Sequence, residues 1–311
     1  MSKRLRRACV ALLAFTIAAW GMPSSASELR RATVASAALG RDMRFIVYIP
    51  DGYETGAQRY PVLYLLHGAG GDENAWVERG DIQTHADKLI AEGTIPPTLI
   101  VMPGCRACWW IDGGKDRAET AFWSELVPAV AERFRTVEAR DGMLVAGLSA
   151  GGYGIVRFAM KYPDRIAAAA AFSPAIYSVT PPANSSARSQ PPFLGPDGQF
   201  NQIAWTTLNY PALIDHYFAQ PSRVPFYLVS GDNDRFGIAF ETALLFKRLF
   251  DKQPEATELR IIDGDHTWAV WANALDGALK YLYRFAARPQ PVAPSSGEIA
   301  VSGEIAVTRP P

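Results

Sequence analysis

Residues 143–152, Met143-Leu144-Val145-Ala146-Gly147-Leu148-Ser149-Ala150-Gly151-Gly152, decide how the rest of the chain is read. An apolar run breaks at Gly-x-Ser-x-Gly and passes into a helical pattern at Ile155, Val156, Phe158 and Ala159. That order predicts a strand, a sharp turn and a helix, with Ser149 at the apex. The apex backbone is strained, so its neighbours must be small, and Gly147, Ala150, Gly151 and Gly152 are. Such a turn lifts a hydroxyl clear of the sheet edge. It also aims the Ala150 N–H at the point where the oxyanion of a tetrahedral adduct would form. The bare pentapeptide recurs by chance in Gly/Ser-rich loops. The strand before it and the helix after it make Ser149 a candidate nucleophile rather than a structural turn residue.

Outward from this turn, apolar strands alternate with helical patterns. Arg31–Ala38 and Met43–Ile49, on either side of Leu39-Gly40-Arg41, predict an antiparallel hairpin. Pro61–Leu66 reads as a buried strand ending at His67-Gly68-Ala69-Gly70-Gly71, and a helical stretch covers His85–Ala91. Thr98–Met102 is the next strand, and Phe122, Leu126, Val130 and Phe134 keep one face of a helix. After the Ser149 turn, strands are expected at Arg165–Phe172, Pro225–Ser230 and Glu258–Ile262. Helices are expected at Ile238–Phe250 and from Thr267 to about Phe285. Residues 179–200, rich in Pro, Ser, Asn and Gln and without periodicity, predict a loop or lid-like excursion. The pattern is α/β: a mostly parallel sheet, eight-stranded and flanked by helices on both faces, with active groups gathered beyond the strand C-termini.

The ends read differently. Lys3, Arg4, Arg6 and Arg7 precede an apolar segment, Ala8–Trp20, and then Pro23-Ser24-Ser25-Ala26-Ser27. This predicts a signal peptide over 1–26 with export of the chain and no stable membrane anchor. The catalytic domain is placed at 27–288. A tail at 289–311, with Ser-Gly-Glu-Ile-Ala-Val at 296–301 repeated at 302–307, is expected to be disordered. Across 311 residues, 31 basic side chains balance 31 acidic ones, so no basic field is available to hold nucleic acid.

A serine hydroxyl needs a general base at neutral pH. His67 lies in a strand-end turn, where its backbone is more useful than its ring, and His85 and His216 lie in helical segments. His266 follows the last strand and is the candidate base. The acid that orients it must follow a strand, as Asp232 and Asp234 do. Asp234 has more loop with which to reach across, whereas Asp263 and Asp265 read as turn residues. The order Ser149, Asp234, His266 is Ser…Asp…His. Ala69 and Ala150 are the candidate oxyanion donors through their backbone N–H groups.

These motifs resemble a known family. Leu65-Leu66-His67-Gly68-Ala69-Gly70-Gly71-Asp72, Gly147-Leu148-Ser149-Ala150-Gly151-Gly152, Gly231-Asp232-Asn233-Asp234 and Gly264-Asp265-His266-Thr267-Trp268 are similar to the Putative esterase family. That family takes in esterase D, enterochelin esterases, feruloyl and acetylxylan esterases and mycolyltransferases. The resemblance implies an α/β-hydrolase fold over the whole mature domain. It also implies a serine esterase that works through an acyl-enzyme, with Asp234 as acid and Ala69 and Ala150 as oxyanion donors. An acyltransferase with the same intermediate, or a non-catalytic binding protein on the same fold, are the alternatives. The expected partner is a small-molecule or glycan-linked ester.

Cys105 and Cys108, in Pro-Gly-Cys-Arg-Ala-Cys-Trp-Trp, are expected to form a short structural disulfide, with a redox couple or half a zinc site as alternatives. Among the tryptophans at strand ends, Trp110 and Trp268 are the candidates for lining a substrate pocket, since an indole can stack on a sugar or an aromatic acyl group. No metal-ligand spacing or phosphate-binding loop is found, so no cofactor is expected.

Overall fold

Eight strands form the central sheet of the computed structural model, which describes residues 26–292. They are β1 (Glu28–Val34), β2 (Met43–Ile49), β3 (Val62–Leu66), β4 (Leu99–Pro103), β5 (Met143–Leu148), β6 (Ala168–Phe172), β7 (Phe226–Gly231) and β8 (Thr257–Ile262). Their order across the sheet is β1-β2-β4-β3-β5-β6-β7-β8. β2 is antiparallel to both neighbours, and every later pairing is parallel. The fold is that of an α/β hydrolase.

Two cores follow from the period-2 alternation of buried strands. Along β3, Val62, Tyr64 and Leu66 face one core while Leu63 and Leu65 face the other. The longer helices are α1 (Ile82–Ala91), α2 (Val127–Arg133), α3 (Ala150–Lys161), α4 (Gln202–Leu208), α5 (Tyr210–Ala219), α6 (Ile238–Phe250) and α7 (Trp268–Leu282). α3 and α6 cover the first face, and α1 and α7 the second. A π-helical turn, Ala121–Leu126, runs into α2 ahead of Pro128. A proline crowds the carbonyl four residues back and offers no N–H, so the turn before it widens.

Several boundaries differ from the sequence reading, each for a local reason. The first hairpin strand ends at Val34 rather than Ala38, because Glu125 captures the Ser36 hydroxyl and the Ala38 N–H and pulls that stretch off the ladder. α4 and α5 are elements that the sequence pattern does not predict. Asn201 caps one by accepting from Ile203 and Ala204, and Asn209 accepts from Tyr210 at the start of the other. Residues 179–200 are a loop, yet a packed one. Phe193 is fully buried against Trp109, Tyr153 and Trp205. The tail does not begin at 289: Gln290–Pro291 pairs antiparallel with Gln58–Arg59, and the Val292 N–H donates to the Ala57 carbonyl. The expected signal peptide, apart from Ala26, and the expected tail from 293 onward lie outside the described residues.

Candidate active site

Ser149 stands between β5 and α3 with φ 52° and ψ −115°, a conformation that L residues rarely adopt. The surroundings over-determine it. Its N–H donates to the Phe172 carbonyl on β6, and its own carbonyl accepts from Tyr153 and Ala175. A Cβ on Gly151 would lie 2.5 Å from the His67 carbonyl oxygen, so the helix can start under this strand end only with glycine there.

The loops after β7 and β8 are joined before either reaches Ser149. The Asp232 N–H donates to the Ile262 carbonyl, and Asn233 N–H to Gly264. In return the Gly264 N–H donates to Asp232 Oδ1 at 3.0 Å. Asp265 accepts from the Arg235 N–H at 2.8 Å and pairs with its guanidinium. That side-chain bond, with the Arg235 and His266 N–H groups, holds the Asp265 carboxyl well below the usual carboxylate range. Asp232 and Asp265 therefore serve the turns, while Asp234 reaches across.

The Asp234 side chain is wholly buried. Its Oδ1 accepts the Phe236 N–H at 3.0 Å, and its Oδ2 faces His266 Nδ1 at 2.7 Å. On the other side of the ring, His266 Nε2 lies 2.9 Å from Ser149 Oγ. The imidazole is held edge-to-face between Phe236 and Trp271, at 5.0 and 4.9 Å between centroids, and Trp271 Nε1 donates to Ser173 Oγ. With Nδ1–H donated to the carboxylate, Nε2 is left as an acceptor for the hydroxyl proton.

The β3 loop passes directly over the serine. A Cβ on Gly68 would lie 2.6 Å from the Leu148 side chain and 3.1 Å from Ser149 Cβ, which brings the next residue, Ala69, to the rim. The Ala69 N–H has no acceptor among the described residues. Ala150 opens α3, where first-turn N–H groups have no intrahelical acceptor.

This loop is braced by groups whose part is not evident from sequence. Trp76 Nε1 donates to the Leu66 carbonyl and Trp110 Nε1 to that of His67, each at 3.0 Å. His67 Nε2 accepts the Cys105 N–H at 3.1 Å, and its Nδ1–H donates to the Gly68 carbonyl at 2.7 Å. Burial pushes its pKa down to about 4, so the ring is neutral. Its ring thus matters as much as its backbone. Cys105 and Cys108 are joined as a disulfide, Cα atoms 5.7 Å apart, just beyond this contact.

Trp110 is a correction to the sequence reading. It is fully buried, so it supports the loop from behind and lines no cleft. Trp268 does line the cleft, a concavity of about 440 Å³ around Ser149 and His266. Lining residues that sequence did not single out are Arg79, Asn184, Ser186 and Phe236. They carry no motif; only the folding of separate loops onto one rim brings them there. His85 instead bonds Asp276 on α7, and His216 is exposed on α5. Among the described residues, no group of three or more His, Cys, Asp or Glu side chains could hold a metal ion, and no helix is long and apolar enough to cross a membrane.

The model of the family described as Putative esterase matches residues 36–282. The chain belongs to this family. An esterase of Mycobacterium tuberculosis is 36% identical over 145 residues, which are 44% of this chain and 30% of that protein. An endo-1,4-beta-xylanase/feruloyl esterase of Xylanibacter ruminicola is 32% identical over 146 residues, 44% of this chain and 20% of that protein. The matched segment thus spans under a third of these curated relatives. Among solved structures, a ferulic acid esterase superposes with a TM-score of 0.71 at 24% identity, covering 85% of this chain and all of the other. A fluorophosphonate-binding serine hydrolase of Staphylococcus aureus gives 0.68 at 19% identity, over 83% and 99%. Both likenesses establish the fold that this member of the esterase family shares.

Proposed function

We propose that this chain is an exported serine esterase that hydrolyses a small-molecule or glycan-linked carboxylic ester through an acyl-enzyme. Ser149 Oγ attacks the carbonyl carbon as its proton passes to His266 Nε2. His266 keeps its Nδ1 hydrogen and donates it to Asp234, whose buried charge stabilises the imidazolium. The carbonyl oxygen becomes an oxyanion received by the Ala69 and Ala150 N–H groups, each donor worth about 10²–10³ in turnover. Collapse breaks the bond to the alcohol, which leaves with the proton from His266. Water then repeats the sequence on the acyl-serine, its proton going to His266, and the acid departs as Ser149 regains its hydrogen.

The observation that carries this reading is the unbroken line Ser149 Oγ, His266, Asp234 at 2.9 and 2.7 Å. Export is supported by the basic-apolar leader and by the Cys105–Cys108 bond, since disulfides persist in oxidising compartments. Esterase and feruloyl esterase names among relatives support the ester class, and the Trp268 face in the cleft suits a ring-bearing substrate. The test is hydrolysis of p-nitrophenyl acetate. Ser149→Ala is expected to lower turnover by at least about 10³-fold and to abolish labelling by a fluorophosphonate. Equal rates in the two proteins would remove the proposal.

A further inference from the structure

Among the side chains that line the cleft, Arg79 alone carries a permanent charge. It is exposed, and makes no ion pair with its acidic neighbours in sequence, Glu78 and Asp81, or with any other described residue. Its guanidinium carbon sits over the Trp268 ring, 5.2 Å from the centroid, a cation–π contact. An exposed arginine without a carboxylate ordinarily samples many rotamers, and a cation–π contact worth about 0.5–1 kcal/mol biases this one towards its indole platform.

That platform is rigid. Trp268 meets Trp76 edge-to-face at 5.2 Å and Trp271 at 5.4 Å, and Trp76 is buried. The backbone is fitted to it as well. A Cβ on Gly80 would lie 2.7 Å from Trp76 and 3.1 Å from Trp268, so only glycine lets the residue after Arg79 press against the indole pair. Trp271 in turn contacts His266, so one aromatic ladder runs from the cation to the imidazole. With no acceptor among the described residues, the Arg79 N–H groups are free, and the planar guanidinium fork matches a carboxylate in two parallel bonds.

We propose that Arg79 is a specificity-determining residue that selects esters carrying a carboxylate away from the scissile bond. The inference rests on the esterase reading of Ser149 and names its substrate class. The carboxylate can sit on the acyl half, as in a half-ester of a dicarboxylic acid, or on the alcohol half, as in an esterified hydroxy or uronic acid. Both offer Arg79 the same planar anion.

The experiment uses two matched pairs. Mono-4-nitrophenyl succinate and its methyl ester place the charge, or its absence, on the acyl side. 4-(Acetoxymethyl)benzoate and its methyl ester do so on the alcohol side. The quantity read is the ratio of kcat/KM, charged over capped, within each pair. In Arg79→Gln the ratio is expected to fall about tenfold in one pair, the order of a charge-assisted hydrogen bond discounted for solvent exposure. Arg79→Glu should lower it further, and Arg79→Lys should keep part of it. Raising ionic strength should erode the ratio in the wild type and leave it flat in Arg79→Gln. The pair that responds identifies which half bears the charge. Ratios within twofold of wild type in both pairs, in both the Gln and Glu variants, would overturn the proposal. Ser149→Ala is run beside them. If it turns over substrate at the wild-type rate above the enzyme-free background, the esterase reading fails; if its rate falls by about 10³-fold while the Arg79 ratios stand still, only the role of Arg79 fails.

Discussion

Replacing Asp234 with asparagine changes one atom and poses a problem that the site cannot solve. The carboxylate has two obligations, accepting the Phe236 N–H through Oδ1 and the His266 Nδ1–H through Oδ2. An amide has one acceptor oxygen. If that oxygen faces His266, the NH₂ meets the Phe236 N–H, donor against donor, and a backbone donor beside a buried side chain loses its bond at about 1–3 kcal/mol. If the amide turns round, NH₂ faces the ring. Nδ1 must then accept, Nε2 carries the proton, and the Ser149 hydroxyl has nowhere to deliver its own. The backbone donor cannot move and the imidazole proton can, so the second arrangement dominates. Reaching the reactive tautomer then costs the Phe236 bond, about 1–3 kcal/mol, and with the lost stabilisation of the imidazolium, about 1.5–3 kcal/mol for a charged bond, the barrier should rise by about 2.5–6 kcal/mol. At about 1.36 kcal/mol per decade, kcat falls by about 10²–10⁴. Burst and steady-state hydrolysis of p-nitrophenyl acetate, with Tm recorded to show that the fold survives, measure it. Asp232→Asn is the companion. An amide oxygen can still accept the Gly264 N–H, so its kcat should stay within a few-fold of wild type. A folded Asp234→Asn enzyme within about tenfold of wild type would refute the reasoning.

Two further outcomes follow from the brace behind the oxyanion loop. His67 is held neutral by burial, with a folded pKa of about 4 against an ordinary 6.5, so the unfolded chain takes up its proton first as pH falls. Its contribution is intact above about pH 6.5 and drains away down to about pH 4, by an amount of order 3 kcal/mol. Tm of wild type minus His67→Gln, followed across that window, should shrink, and a constant difference would contradict the assignment. Replacing Cys105 and Cys108 together with serine opens a four-residue loop, which on chain entropy alone costs about 2 kcal/mol. Denaturant titration should show that loss, and an unchanged midpoint would mean that the Cys105 N–H contact with His67 holds the loop unaided.

What could be read before folding was whatever backbone geometry forces on residue type. The turn at Ser149 admits only small neighbours, so Gly147-Leu148-Ser149-Ala150-Gly151 announced a strand-to-helix turn, and the apolar strands around it announced a buried parallel sheet. Reach along a loop was legible too: Asp234, not Asp232, is the carboxylate that faces the imidazole. The direction in which an indole points was not. Trp110 and Trp268 look alike in sequence, yet one lies under the loop and the other in the cleft, because ring placement depends on contacts from distant segments. For the same reason nothing in the sequence around His67 reveals that its ring holds the Cys105 backbone. Arg79 was silent as well: a lone arginine at the end of a short helical turn has no pattern to break.

The segment above the cleft has one more consequence. With Phe193 sunk among Trp109, Tyr153 and Trp205, and Ser186 accepting from the Trp109 indole, that wall is riveted down and the nucleophile already stands open to water. Among the described residues nothing has to swing aside before a small ester reaches Ser149, so the esterase proposed above would turn over dissolved substrate without waiting for an oil–water boundary.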